Sequence, residues 1–124
     1  MRAIWPDIEA AVRDERLRGF GAELGQATER LMATTRRVGE AAAHDVERGL
    51  ANASVYLEAM GHVVVAWMWL RQAVAATRAL GSARGEEADF YQGKLAACRY
   101  FFRWELPRIG PQLALLDSLD SAWL

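Results

Sequence analysis

Tyr91-Gln92-Gly93-Lys94-Leu95-Ala96-Ala97-Cys98-Arg99-Tyr100-Phe101-Phe102-Arg103-Trp104-Glu105-Leu106-Pro107 is the stretch on which the fold turns. It reads as one aromatic-rich helix stopped by a proline, which has no N–H to continue the ladder. Apolar residues fall three and four apart in two adjacent stripes. One is Phe90, Lys94, Ala97 and Phe101, and the other is Tyr91, Leu95, Cys98 and Phe102. Such spacing marks one face of a helix. A face this wide implies contact with more than one neighbour. Glu86, Glu87 and Asp89 precede it and oppose the positive end of the helix dipole.

Outward from that stretch, prolines occur only at 6, 107 and 111, so everything between the first two is free to be helical. Pro6 fits the first position of an opening helix that runs to about Arg18, where Gly19-Phe20-Gly21 supplies a break. A second helix follows from about Ala22 to Val38, with Leu24, Thr28, Leu31, Thr35 and Val38 on one stripe and Gly39 as its C-cap. A long third helix spans residues 40–80. Its expected inner stripe is Val46, Leu50, Ala53, Leu57, Met60, Val64, Trp67 and Met68, with a possible break at Gly49. Gly61 is expected to stay small so that a neighbouring helix can approach. Gly81-Ser82-Ala83-Arg84-Gly85 is the clearest linker, and Leu113-Ala114-Leu115-Leu116 suggests a short closing helix after Pro107 and Pro111.

These elements predict an all-α fold, an up-and-down four-helix bundle with a short extra C-terminal helix, forming a single domain over residues 1–124. A chain of 124 residues can bury a core without disulfides or a structural metal. Net charge of −1, with arginines spread along the chain and Lys94 the only lysine, argues against nucleic-acid binding. Cys98 is alone and fits a reducing, cytoplasmic setting. Residues 1–7 have no apolar core of the kind a secretory signal carries. The most apolar run, 59–70, amounts to about 18 Å of helix against the roughly 30 Å of a bilayer core. It reads as a core helix, and no membrane span is expected.

Chemistry is sparse. Glu40/His44 and Glu58/His62 each place a carboxylate and an imidazole on one helix face, a possible metal grip. Both pairs lie on the same predicted helix, about 27 Å apart, and their spacing differs from the Glu-x-x-His of dinuclear carboxylate bundles. The plainer reading is a surface pair and a partly buried, hydrogen-bonded His62. Cys98 reads as a small hydrophobe within an aromatic helix. No nucleophile elbow and no phosphate loop are present. No catalytic, cofactor-binding or metal residue is assigned.

Met60, Trp67, Met68 and Trp104 admit two readings, a greasy acyl pocket or ordinary core. Core is favoured. Trp67 and Trp69 point about 200° apart on one helix, which hints that one of them meets a second surface, either a partner domain or another copy. Arg99 and Arg103, with Glu105 nearby, could clamp a carboxylate or phosphate. The favoured reading lays their stems over aromatic rings with the guanidinium in water.

Tyr56-Leu57, the run from Gly61 to Leu70, the block Gly93-Lys94-Leu95-Ala96-Ala97-Cys98-Arg99-Tyr100-Phe101-Phe102 and the following Glu105-Leu106-Pro107 together resemble the accessory C-terminal helical domain of a subfamily of acyl-CoA dehydrogenases. The resemblance is strongest over residues 20–118. It implies a domain that follows a flavin-binding core and packs on it or at a subunit interface, in an oligomeric flavoprotein of fatty acid metabolism. FAD and the catalytic glutamate belong to that core, and no residue here matches either. The chain itself is therefore expected to bind no cofactor. Its partners are expected to be the dehydrogenase core, a homo-oligomer, or both. A free-standing bundle used for self-association or protein interaction is the alternative. The substrate acyl-CoA and any contact of the domain with ligand stay open.

Overall fold

The computed structural model describes residues 2–119; Met1 and residues 120–124, which include the ends of the expected domain, lie outside the described residues. Six α-helices follow in order: α1 (Ile4–Arg13), α2 (Arg18–His44), α3 (Val46–Leu50), α4 (Ala53–Ala79), α5 (Gly85–Tyr100) and α6 (Ile109–Asp117). A π-helical turn, Phe101–Glu105, and a 3₁₀ turn, Leu106–Arg108, join the last two. The fold is all-α, as expected.

Cross-helix contacts fix the directions. A Cβ on Gly21 would meet Val12, and one on Gly25 would meet Ile8, so α1 runs antiparallel to α2. The Thr35 and Tyr56 hydroxyls meet at 2.8 Å, which sets the end of α2 against the start of α4. Lys94 donates to Gln72 Oε1 at 2.9 Å, while His62 lies beside Phe101 and Glu105, so the final rod descends along α4. Arg30 donates to the Gly110 carbonyl at 3.4 Å, and Arg37 Nε donates to that of Asp117 at 2.6 Å. The rod from α5 to α6 is thus parallel to α2. This is the up-and-down order, and α6 prolongs the fourth rod.

Pro107 explains how that rod continues past its expected stop. Its ring excludes normal α geometry against the carbonyl four residues back. The chain responds by widening: the Leu106 N–H reaches the Phe101 carbonyl, five residues away. A tight 3₁₀ turn then restores the axis. Pro111 falls in the first turn of α6, where its missing N–H costs nothing.

Several expected boundaries move. The first helix ends at Arg13, not Arg18, because the Asp14 side chain accepts the Arg16 N–H at 2.9 Å and turns the chain. Gly19-Phe20-Gly21 lies inside α2 and makes no break. Gly21 is small because α1 crosses there: an added Cβ would stand 2.9 Å from Val12 Cγ2. Gly39 is no cap either. The good helix formers Ala41, Ala42 and Ala43 carry α2 to His44. Asp45 then caps α3 by accepting the Arg48 N–H at 3.2 Å, and the expected long third helix is interrupted between there and Asn52.

The inner stripe of α4 is also displaced. Buried positions are Ala59, Val63, Ala66, Leu70, Ala73 and Ala76, whereas Val46, Leu50 and Leu57 are more than half exposed. The alanines let α1, α2, α5 and α6 all approach α4 closely. Around them Ile4, Leu17, Leu24, Leu31, Cys98 and Leu113 complete a core with almost no solvent contact. Each such leucine stabilises the fold by about 1.5 to 3 kcal/mol. The second expected stripe of the fourth helix, with Leu95, Cys98 and Phe102, is core, and Phe90 of the first is exposed. By length and composition alone α4 could also cross a bilayer; here four other helices pack along it.

Candidate functional site

The sequence-derived candidates do not converge. Glu40 and His44 are both exposed near the end of α2. His62 Nδ1 lies 3.0 Å from the Glu58 carbonyl, and its Nε2 lies 3.6 Å from Glu105 Oε2, so the Glu58 side chain is not its partner. Among the described residues no group of three histidine, cysteine or acidic side chains is placed to hold a metal.

Cys98 is buried, and burial pushes its thiol up to about 12, with Arg99 pulling down and Glu23 pushing up more weakly. A thiol so high is a packing group.

The four greasy side chains are dispersed as well. Trp67 donates its indole N–H to Asp7 Oδ2 at 2.7 Å, Met68 and Trp104 are exposed, and Met60 packs on the core edge. The two opposed tryptophans of α4 therefore both find partners inside the chain. Trp67 meets α1, while Trp69 lies under the Lys94 ammonium of α5, 5.8 Å from the ring centre. Neither needs a second molecule.

Arg99 and Arg103 lie beside open surface concavities. The Arg103 guanidinium lies over the Trp104 ring at 5.4 Å from its centre, where the favoured reading laid the stem over a ring and left the guanidinium in water. Glu105 turns away toward His62 and Arg108. Both arginines border a groove between α2 and the rod of α5, the π turn and the 3₁₀ turn. One part, about 490 Å³, lies between Glu23, Arg30, Phe102, Arg103 and Leu106. A second, about 500 Å³, shares Glu23, Phe102 and Arg103 and extends past Tyr100 and Trp104. A third shares Phe20 and Arg99 with the second and ends at Arg16 and Leu17. The three concavities adjoin one another along the seam between the two rods.

Local chemistry builds it. Phe20 and Phe102 meet with ring centres 5.0 Å apart and planes tilted by 44°, forming the floor where the two rods meet. The π turn widens the rod just there, a feature often found at functional sites. Partial burial raises the Glu23 carboxyl above its ordinary value. Arg16, Phe20, Glu23 and Arg30 escaped the sequence reading. They lie on α2 or, for Arg16, in the turn before it, some 70 to 80 residues before their neighbours, and no local pattern links the two segments.

A sequence profile described as acetyl-CoA dehydrogenase C-terminal like matches residues 5–124. The chain is also 33% identical over 67 residues to the broad-specificity linear acyl-CoA dehydrogenase FadE5 of Mycobacterium tuberculosis. That alignment covers 53% of this chain and 11% of the relative's length. No solved structure matches the chain.

Proposed function

The chain belongs to the acetyl-CoA dehydrogenase C-terminal-like family, and on that premise we propose that it is the accessory C-terminal domain of an FAD-dependent acyl-CoA dehydrogenase of the cytoplasm. It has no active site of its own and packs on the dehydrogenase core or at a subunit interface of an oligomeric enzyme. The observation that carries this reading is the family match across residues 5–124, nearly the whole chain.

The rest of the molecule agrees with a companion role. The one cysteine is a buried packing group, and the histidines serve surface and helix contacts. The apolar row Val46, Leu50 and Leu57, left exposed where α3 meets α4, is the kind of surface that a neighbouring domain covers. In the parent enzyme FAD would accept the hydride lost when an acyl-CoA becomes its 2,3-enoyl product. This chain's contribution is a rigid surface.

The same apolar row also favours a second reading, a free-standing bundle that self-associates through it. The test is acyl-CoA oxidation by the native polypeptide that carries this sequence, followed with an artificial electron acceptor. Turnover, together with failure to assemble when residues 5–119 are deleted, is expected. A native species without dehydrogenase turnover, forming homodimers that Leu57→Glu separates, would replace the first reading with the second.

A further inference from the structure

The outer side of α5 and the π turn carries features that the chain's own packing leaves unused. Opposite the buried Leu95, Cys98 and Phe102 lies an exposed row, Phe90, Gly93, Ala96, Tyr100 and Trp104. Its three aromatic side chains are 60%, 60% and 59% exposed. Tyrosine, tryptophan and arginine side by side are the composition of a protein–protein contact. Among these rings Gly93 stands in mid-helix, where glycine is a poor helix former. An added Cβ there meets no atom within 4 Å, so nothing inside the chain needs the position small.

Charge is divided along the same rod. Glu86, Glu87 and Asp89 lie near its start and Arg99 and Arg103 near its far end, all exposed. Among the described residues none of the five forms an ion pair, whereas Arg13, Arg71 and Arg108 each do. Asp89 and Arg103 are about 21 Å apart along the rod, too far to meet within one chain. A rod that is acidic at one end and basic at the other is complementary to a copy of itself laid antiparallel.

Two pairs of positions agree on where the copies cross. Midway between Asp89 and Arg103 is Ala96, and midway between Gly93 and Tyr100 is the Ala96–Ala97 bond. One two-fold axis beside Ala96 therefore sets each Asp89 against the partner's Arg103 and each Gly93 under the partner's Tyr100. Alanine meets alanine at the crossing, which lets the backbones approach. Such a contact is isologous, and every pair in it occurs twice. With about 200 Å² per aromatic side chain and some 60% of it exposed, six of them bring roughly 700 Å² toward the 1,000 Å² or so of a specific interface. The glycine and alanine backbone and the charged stems add to this, and a weak, concentration-dependent dimer follows.

We propose that this face binds a second copy of the chain, rod against antiparallel rod, about a two-fold axis at Ala96. The proposal deepens the reading above of a domain at a subunit interface, and it names the face and the partner. The surface is distinct from the apolar row Val46, Leu50 and Leu57.

Sedimentation equilibrium of the chain, from micromolar to millimolar concentration, tests it. Wild type should pass from monomer to dimer across that range. Asp89→Arg and Arg103→Asp should each weaken the dimer by about fivefold or more, because like charges then face each other twice. Mixing the two variants should restore association, since their heterodimer again carries opposite charges at both ends. Damage to the fold of either variant would not be repaired by mixing. Gly93→Leu should abolish the dimer with circular dichroism unchanged, and Leu57→Glu should leave association as it is.

A chain monomeric throughout, a dimer indifferent to either charge reversal, two variants that fail to combine, or a dimer lost in Leu57→Glu would each overturn the proposal. A monomeric chain whose α5 is protected from hydrogen exchange only within the parent polypeptide would give the face to the dehydrogenase core instead. A flavin-dependent parent whose subunits assemble equally well with Asp89→Arg would overturn this face and leave the accessory-domain reading intact. A parent without flavin would remove that reading, and the mixing experiment would still report on the face.

Discussion

Two glycines that look alike in the sequence should respond oppositely to the same methyl group. Gly61 lies within α4, and a Cβ added there meets no atom within 4 Å. Gly61→Ala should therefore realise the ordinary helix-propensity gain, about 1 kcal/mol. For a chain of this size about 1 kcal/mol corresponds to a rise in Tm of roughly 4 °C. Gly49 lies within α3, and its added Cβ would fall onto the backbone of Ala42 in α2, which cannot rotate away as a side-chain tip could. Overpacking of this kind costs about 1 to 3 kcal/mol, so Gly49→Ala should fall below Gly61→Ala in Tm by roughly 4 to 12 °C. The loss should be local. Relief comes from lifting the five residues of α3 off α2, so hydrogen exchange should accelerate over residues 46–52 and stay unchanged in α4. Calorimetry of the two variants beside wild type, with exchange mass spectrometry, reads both quantities. Equal upward shifts in Tm would refute the close seating of α3 on α2.

Other consequences follow from buried polar groups. An unfolded Cys98 thiol ionises near 9, whereas the folded one holds its proton until about 12. In that window the unfolded state binds fewer protons, so stability falls as pH rises. Tm should drop more steeply between pH 9 and pH 11 in wild type than in Cys98→Ala, and parallel slopes would count against the buried thiol. Among the described residues the buried Thr77 hydroxyl finds no hydrogen-bond partner. Thr77→Val should therefore raise the urea midpoint by an amount equivalent to about 1 kcal/mol, and a loss would mean the hydroxyl is satisfied. Trp67→Phe removes the donor to Asp7 and should cost about 1 kcal/mol, this pair being only partly buried. The same loss should vanish in an Asp7→Ala background.

The sequence was most legible where apolar residues alternate with charges along a helix. In α2 the expected stripe of Leu24, Thr28 and Leu31 is fully buried, and Thr35 and Val38 flank it. In α4 the pattern had no phase to read. Apolar residues surround nearly the whole helix, so large side chains such as Leu57 and Met68 drew the inner face to the wrong side. The alanines that let four helices approach were overlooked.

Glycine was ambiguous for a related reason, because a helix interior, a crossing and a cap all tolerate it. Only the neighbour across the gap separates Gly21 and Gly49 from Gly61. Asp14 ended α1 by accepting the Arg16 N–H on its side chain, a signal present in the sequence but weaker than the glycines that follow. Arg99 and Arg103 were found from their spacing. The groove they border needs α2 as its other wall, which is a property of the tertiary fold.

The central claim is that this chain is an appendage of a flavin-dependent dehydrogenase. It is tested most directly by isolating the native polypeptide with antibody raised to this sequence and recording its mass and visible spectrum before and after an acyl-CoA is added without oxygen. The account predicts a species several times larger than 13.8 kDa, yellow with bound flavin, whose colour bleaches on adding the substrate. A colourless species of 13.8 kDa, with no flavoprotein accompanying it, would contradict the account.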